Sequence, residues 1–158
     1  AFVALLKKYF PEFKNAELLF TAAQTGVRET RHIKGEHVLT GEEYLNAVHF
    51  EDAVSRGAHP IDIHTAGDTT QKCQFLKNAA YIPYRSLIVP GFDNLLVAGR
   101  CFSADQVASA SVRVQASVMG LGQAAGCAVA QCACAGTSVH KADVPTLQAM
   151  LRKWGALI

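Results

Sequence analysis

The amino-acid sequence predicts an α+β protein with one long apolar helix near its C-terminal end and a few short strands. Residues 112–135 form the helix candidate, since apolar and small residues run on without a formally charged side chain after Arg113. The strand-like segments are short and too few to complete a sheet. We therefore expect an incomplete piece of a larger α/β fold, folded as one compact unit of 158 residues.

The N-terminal region is predicted to contain a short helix and an extended segment, and the first half of residues 16–31 is compatible with either a strand or a helix. Residues 2–10 have the apolar spacing of a short amphipathic helix, which Pro11 would end. Residues 25–33 read as a strand with charges on both faces, so Arg28 and Arg31 would point to opposite sides. The alternating pattern therefore argues against both arginines binding one substrate.

The middle of the chain shows little periodicity. Helix-forming residues occupy positions 40–50, whereas residues 51–80 read mainly as loop. Short strands are predicted at 61–64 and 78–83. A uniformly apolar strand is predicted at 95–98, as expected where both faces of a strand are buried.

The long helix has a row of small side chains four residues apart, which would let a backbone, a sheet or a flat ligand approach closely. The row consists of Ala116, Gly120, Ala124, Ala128 and Cys132. Ala, Gly, Ser, Cys and Gln dominate the helix, so its insertion into a bilayer would be marginal and a membrane partner is not expected. A last amphipathic helix is predicted from Val144 to Trp154, capped by Asp143.

Charge and cysteine content exclude several classes of protein. A formal net charge of +2 gives no basis for a nucleic-acid partner. The five cysteines are odd in number and lack the paired spacing of zinc ligands, so we expect neither a disulfide framework nor a metal site. The N-terminus lacks the pattern of a signal peptide, which predicts a cytoplasmic protein.

No phosphate-binding loop is recognisable in the sequence. Residues 120–126 read GLGQAAG, but the third glycine comes one residue late for GxGxxG and the motif lies inside a helix pattern. No other GxGxxG and no GxxxxGK[ST] is present. The chain by itself therefore lacks the usual binding unit for an ADP group.

A different ligand geometry is indicated by residues 93–105, DNLLVAGRCFSAD. The predicted strand ends at Gly99, where the lack of a Cβ lets a ligand approach the backbone, and Arg100 could reach an anion. The long helix was expected to begin near residues 111–113, and its free N–H groups would attract a partly negative oxygen.

These features resemble those of the FAD-dependent oxidoreductases. The chain is similar to the C-terminal part of bacterial members with a two-domain, glutathione-reductase-like fold. The resemblance rests on TGVRETRHIKGEHVLTGEEY, IDIHTAG, YIPYRSLIV, DNLLVAGRCFSAD and SVRVQASVMGLGQAAGCAVA. These stretches follow the family order through most of residues 1–137.

The resemblance implies FAD as cofactor and places parts of its site. Gly99 and Arg100 match the strand end beside the FAD pyrophosphate and ribityl chain. The helix start whose amides face the flavin pyrimidine is matched by Val112, Arg113, Val114 and Gln115. Positions that line or brace the side near the isoalloxazine are matched by Arg28, Arg31, His64, Tyr84, Arg85 and Arg113.

The candidates for catalysis are His64, Tyr84 and Arg85, and each has a structural alternative. His64 could be a solvated loop histidine, Tyr84 could pack in the core, and Arg85 could form an ion pair with a carboxylate. The sequence does not decide between these roles.

The resemblance implies two segments: residues 1–92 on the substrate side, and residues 93–158 as the C-terminal part of the FAD-binding domain. The expected activity is hydride transfer to or from a small organic substrate. The partner would be an N-terminal region with the missing GxGxxG unit, without which we expect the chain to be inactive. The alternative is a non-catalytic module that docks or self-associates through its small-residue helix.

Overall fold

The computed structural model describes residues 2–63 and 72–158 and has the predicted α+β architecture. In the described part of the chain, four short strands follow one another between two N-terminal and three C-terminal α-helices. The helices are α1 (Phe2–Tyr9), α2 (Gly41–Leu45), α3 (Gln106–Val112), α4 (Gln115–Ala135) and α5 (Val144–Lys153). The strands are β1 (Ala53–Gly57), β2 (Ile61–Ile63), β3 (Lys72–Gln74) and β4 (Ala80–Pro83).

The strands of the described part pair as two antiparallel ribbons, β1 with β4 and β2 with β3. In the first ribbon Ser55 lies opposite Ile82 and Gly57 opposite Ala80. Strands β1 and β3 and helix α3 are not predicted by the sequence pattern. The first strand mixes Ser, Arg and Gly with its apolar residues, so no alternation marks it.

Helix α4 packs against β1 through its small residues. A Cβ on Gly120 would lie 2.6 Å from Ser55 Oγ, so only glycine fits there without a shift of the serine. Ala124, Ala128 and Cys132 of the same row are buried. The row of small side chains therefore faces the protein's own sheet.

The long helix was predicted to begin at residue 112, but the structure divides this region into α3 and α4. Val112 ends α3, and Val114 has extended backbone angles (φ −70°, ψ 151°). Helix α3 follows its N-cap, Asp105, whose carboxylate accepts hydrogen bonds from the amides of Ala108 and Gly41, each at 2.8 Å. One aspartate thus caps α3 and ties it to the start of α2.

Two predicted strands are absent. Residues 25–33 contain no strand, and Ile33 N donates to Cys101 O at 2.9 Å. Residues 95–98 form only an isolated bridge between Leu96 and Ile88, and Leu95 is 40% exposed. The prediction of a fully buried strand there is wrong, because these residues lack neighbouring strands on both sides in the described structure.

Much apolar surface is exposed. The accessible area is 10264 Å², whereas a compact monomer of 16.9 kDa exposes about 7,700 Å². Leu18, Leu19 and Phe20 are 65%, 86% and 83% exposed. Helix α4 has a mean hydropathy of 1.3 over its most apolar 18 residues and is long enough to span a bilayer, although buried core helices of soluble proteins share these properties.

Candidate functional site

Gly99 occupies a backbone conformation that favours glycine and faces open space. Its φ is +98°, in the region that L side chains rarely adopt, and a Cβ added there would meet nothing within 4 Å. The next residue, Arg100, extends its guanidinium to the carbonyl oxygen of Val27 and donates a hydrogen bond to it. The chain turn at Gly99 is thereby fixed to the segment that begins at Val27.

A cavity of about 300 Å³ lies beside Arg100. Residues 27–31, Arg100 and Cys101 line it, so it is bordered by three guanidinium-bearing side chains, Arg28, Arg31 and Arg100. Because residues 25–33 do not form a strand, the alternation that would separate Arg28 from Arg31 is absent. The two arginines border the same space, contrary to the prediction that they face opposite sides.

Glu29 connects this cavity to the beginning of α4. Its Oε2 accepts a hydrogen bond from Arg113 Nη1 at 2.9 Å, and the Arg113 side chain is only 13% exposed. Arg113 also donates to the carbonyl of Asp62 at 3.2 Å. The predicted residue Arg113 therefore holds Glu29 and the carbonyl of Asp62 from a position outside the cavity lining.

His32 belongs to the same cluster. Its Nδ1 lies 3.1 Å from Phe102 O, and its buried Nε2 has no hydrogen-bond partner, with Glu29 Oε1 3.7 Å away. The sequence analysis missed His32 and the role of Glu29. The available signal was only the charge on both faces of residues 25–33, which does not distinguish a ligand site from a solvated segment.

The first turn of α4 lacks a side-chain cap. Val114 is the N-cap and its side chain offers no acceptor, so the N–H groups at the start of this 21-residue helix have no capping partner within the helix. Of the four residues predicted here, only Val114 and Gln115 lie at this start. Val112 belongs to α3, and the Arg113 amide donates to Ser109 O at 3.1 Å.

A second cavity, of about 510 Å³, lies against the beginning of α4. Val114, Ala116 and Ser117 line it together with residues of β1 and the C-terminal segment. It shares no lining residue with the cavity at Arg100. Glu29 lines the cavity at Arg100, and its ion-pair partner Arg113 immediately precedes Val114, which lines the second cavity.

Tyr84 and Arg85 lie in a third cavity, of about 540 Å³, that shares no lining residue with the other two. The Tyr84 hydroxyl donates to Val139 O at 2.9 Å, and burial raises its pKa above the usual tyrosine value. Arg85 Nε lies 2.9 Å from Asp52 Oδ2, and this hydrogen bond raises the pKa of the guanidinium. His64 lies outside the described residues.

The third cavity also contains an ion pair between His140 and Glu36. His140 Nδ1 lies 2.5 Å from Glu36 Oε1, and its Nε2 lies 3.1 Å from Phe92 O. Both ring nitrogens face acceptors, an arrangement that only the imidazolium form satisfies by donating twice. The hydrogen bond to Glu36 accordingly raises the pKa of His140.

Comparison with known protein families decides the class of this chain. The model of the FAD dependent oxidoreductase family matches residues 1–151. The chain belongs to the FAD-dependent oxidoreductases. This membership supports a flavin oxidoreductase role, and FAD binding is a property of the family. No curated protein and no solved structure matches the chain.

The residues of this family member fit an anionic flavin cofactor. Gly99 leaves the open space that a Cβ would occupy, and Arg100 stands beside it with guanidinium donors. The uncapped N–H groups at the beginning of α4 are donors suited to a flavin carbonyl oxygen. Among residues 2–63 and 72–158, no group of three or more His, Cys, Asp or Glu side chains is arranged to hold a metal ion.

Proposed function

We propose that this chain is the C-terminal portion of a bacterial FAD-dependent oxidoreductase with a glutathione-reductase-like fold. It would contribute part of the flavin site and the substrate side for hydride transfer to or from a small organic molecule. The observation that supports this most is the connection made by residues 27–29. Arg100 donates a hydrogen bond to Val27 O, and Arg113 donates one to the Glu29 carboxylate. The two regions expected to contact FAD, at Gly99 and at the start of α4, are therefore both held to the segment 27–29.

Each region has a defined task in this proposal. Arg100 would neutralise a phosphate oxygen of FAD beside Gly99, and the free amides at the start of α4 would donate to the flavin pyrimidine edge. Bound FAD supplies the group that accepts or releases the hydride. The ion pair between Arg113 and Glu29 would hold the two regions in a fixed position relative to each other.

Proton transfer on the substrate side is proposed for His64 or Tyr84, which match family positions that line or brace the side near the isoalloxazine. Tyr84 would first have to break its hydrogen bond to Val139 O, because its hydroxyl donates to that carbonyl oxygen. His32 is an added candidate, since its Nε2 is free of a hydrogen-bond partner and lies close to Glu29. It is also the histidine that lies nearest in sequence to the cavity-lining arginines.

The exposed surface supports the view that the chain is completed by other segments. The accessible area exceeds that of a compact monomer by roughly 2,600 Å², and exposed apolar side chains such as Leu18, Leu19 and Phe20 contribute to it. A larger fold would bury them. Among the described residues, residues 95–98 pair with the chain only through the Leu96–Ile88 bridge and the bond from Val97 N to Leu87 O at 2.8 Å, and a larger sheet would add a neighbouring strand. The proposed partner is an N-terminal region with a GxGxxG unit for the ADP half of FAD.

The proposal is tested by the flavin content of the protein that carries this chain. We expect Gly99→Leu to purify without FAD, because a side chain would fill the open space and strain the backbone. Gly91→Leu is the matched control, since Gly91 also has a positive φ (+84°) and open surroundings but is not adjacent in sequence to Arg100. Equal flavin content in the two variants would refute the placement of FAD beside Gly99.

The second proposal, a self-associating module, is favoured by one specific observation. The small-residue row faces inward, but the opposite side of α4 leaves Met119 72% exposed and Val129 42% exposed. Residues 18–20 add further apolar surface. Sedimentation of the purified chain distinguishes the proposals: a monomer over the micromolar range contradicts self-association, and Met119→Lys should weaken any dimer that forms.

A further inference from the structure

We propose that the hydroxyl groups of Ser55 and Ser117 bind the pyrimidine edge of the flavin, together with the free amides at the start of α4. The inference rests on the proposed function and adds two cofactor-binding residues to its flavin site. Both serines line the cavity of about 510 Å³ against the beginning of α4. This is the place that the proposed function already assigns to that edge of the ring.

The two hydroxyls are buried and have no protein partner. Ser55 and Ser117 are each 4% exposed, and neither hydroxyl forms a hydrogen bond within residues 2–63 and 72–158. Unlike the Ser109 hydroxyl, which the protein encloses completely, both reach the cavity. A buried hydroxyl that has lost its hydrogen bonds to water destabilises the fold unless a ligand or an ordered water replaces them. Two such groups in the wall of one cavity therefore indicate a polar ligand there.

Two glycines keep these hydroxyls uncovered. A Cβ on Gly120 of α4 would lie 2.6 Å from Ser55 Oγ, and a Cβ on Gly57 of β1 would lie 3.3 Å from Ser117 Oγ. A side chain at either position would crowd the neighbouring hydroxyl. The glycines thus leave both oxygens available where β1 and α4 meet.

The chemistry of these groups matches the cyclic imide of the flavin. The first amides of a helix only donate hydrogen bonds, so they suit the two carbonyl oxygens of the pyrimidine edge but not the N3–H group between them. A serine hydroxyl both donates and accepts, so it supplies the acceptor that N3–H requires. The cavity lining contains Arg56 and no acidic side chain among the described residues, so no carboxylate side chain there repels the carbonyl oxygens.

The rest of the wall suits a flat ring. Val54, Val114 and Ile158 contribute apolar side chains to the lining. A volume of about 510 Å³ falls in the range of about 300–1,000 Å³ that is typical of small-molecule sites. The apolar side chains would pack on the ring while the hydroxyls contact its polar edge.

The test measures FAD binding by the full-length protein that carries this chain, after removal of its flavin, through the quenching of flavin fluorescence. We expect Ser55→Ala and Ser117→Ala each to raise the dissociation constant about fivefold, the effect of one lost hydrogen bond. Ser109→Ala is the matched control, because Ser109 is 1% exposed and its hydroxyl lacks a partner, but it does not line the cavity. It should leave the constant unchanged. Since alanine leaves no polar group unsatisfied, all three variants should melt like the wild type without FAD.

FAD methylated at N3 provides a second measurement. The methyl group removes the N3–H donor, so it should weaken binding to the wild type more than binding to the serine variant that has lost the acceptor. Equal penalties in the wild type and in both serine variants, or an equal loss in Ser109→Ala, would overturn the inference. If these results fail while Gly99→Leu still loses its flavin, the proposed function stands without the serines. A full-length protein that does not bind FAD overturns both.

Discussion

Arg113 and Glu29 form an ion pair of 2.9 Å across 84 residues of sequence. The arginine stands between the end of α3 and the beginning of α4, and the glutamate belongs to the irregular segment that lines the arginine-rich cavity. Without this contact the segment would be held mainly by the backbone bond from Ile33 to Cys101 and by the side chains of His32 and Arg100. The pair therefore positions the cavity relative to α4.

Replacing Arg113 by methionine should lower the free energy of unfolding by about 1–2 kcal/mol. The methionine keeps much of the packing but leaves the Glu29 carboxylate, whose side chain is 25% exposed, without its partner. Urea denaturation measures this loss. In the double variant with Glu29→Gln the loss should be smaller than the sum of the two single losses, and strict additivity would show that the ion pair contributes nothing.

A glycine of β1 gives a second prediction. A Cβ on Gly57 would lie 2.0 Å from the hydroxyl oxygen of Tyr44, a fully buried side chain, so Gly57→Ala should destabilise the chain by about 1–3 kcal/mol. Gly122→Ala is the control, because nothing lies within 4 Å of its Cβ position in α4. That variant should gain up to about 1 kcal/mol from helix propensity. Thermal unfolding of both variants provides the comparison, and equal stability would contradict the close packing of Tyr44 on β1.

The elements that the sequence predicted well have strong local signals. The end of α1 before Pro11 and the start of α5 after Asp143 agree with the structure, since proline and an N-capping carboxylate act on their own backbone. The break between α3 and α4 was not predicted, because it lies at Arg113 and Val114 and neither residue type forbids a helix. At the break, Arg113 forms a tertiary contact with Glu29, and a single sequence does not show such a contact.

A third prediction concerns Tyr84. Tyr84→Phe should cost about 1–2 kcal/mol of unfolding free energy, because the buried Val139 carbonyl loses its donor at 2.9 Å. If the residue only braces the core, flavin reduction by substrate should keep its rate constant in the holoenzyme. If Tyr84 transfers a proton, the rate constant and its pH profile should change by more than the stability loss explains, as stopped-flow measurements would show.

The structure corrects part of the predicted geometry of the candidate site, and the cofactor and catalytic roles of its residues stay predictions. Gly99 and Arg100 were identified from the strand-end pattern, although residues 95–98 do not form the predicted strand. The shared cavity of Arg28 and Arg31 was not predictable from the sequence. The alternating pattern of residues 25–33 is typical of a strand, but in the structure this segment pairs with no strand and is irregular.

The pair of His140 and Glu36 predicts a pH-dependent stability. The carboxylate of Glu36 chiefly raises the pKa of His140 above 6.5, with contributions from the Phe92 carbonyl and the charge of Asp93. Because the folded pKa is higher than the unfolded one, the stabilisation is fully present below pH 6.5 and is lost as the pH rises through the folded pKa. The difference in melting temperature between the wild type and His140→Gln should therefore be largest in mild acid and shrink in alkaline buffer. Glu36→Gln should remove the same pH dependence, and a difference that grows with pH would refute the assigned role of the imidazolium.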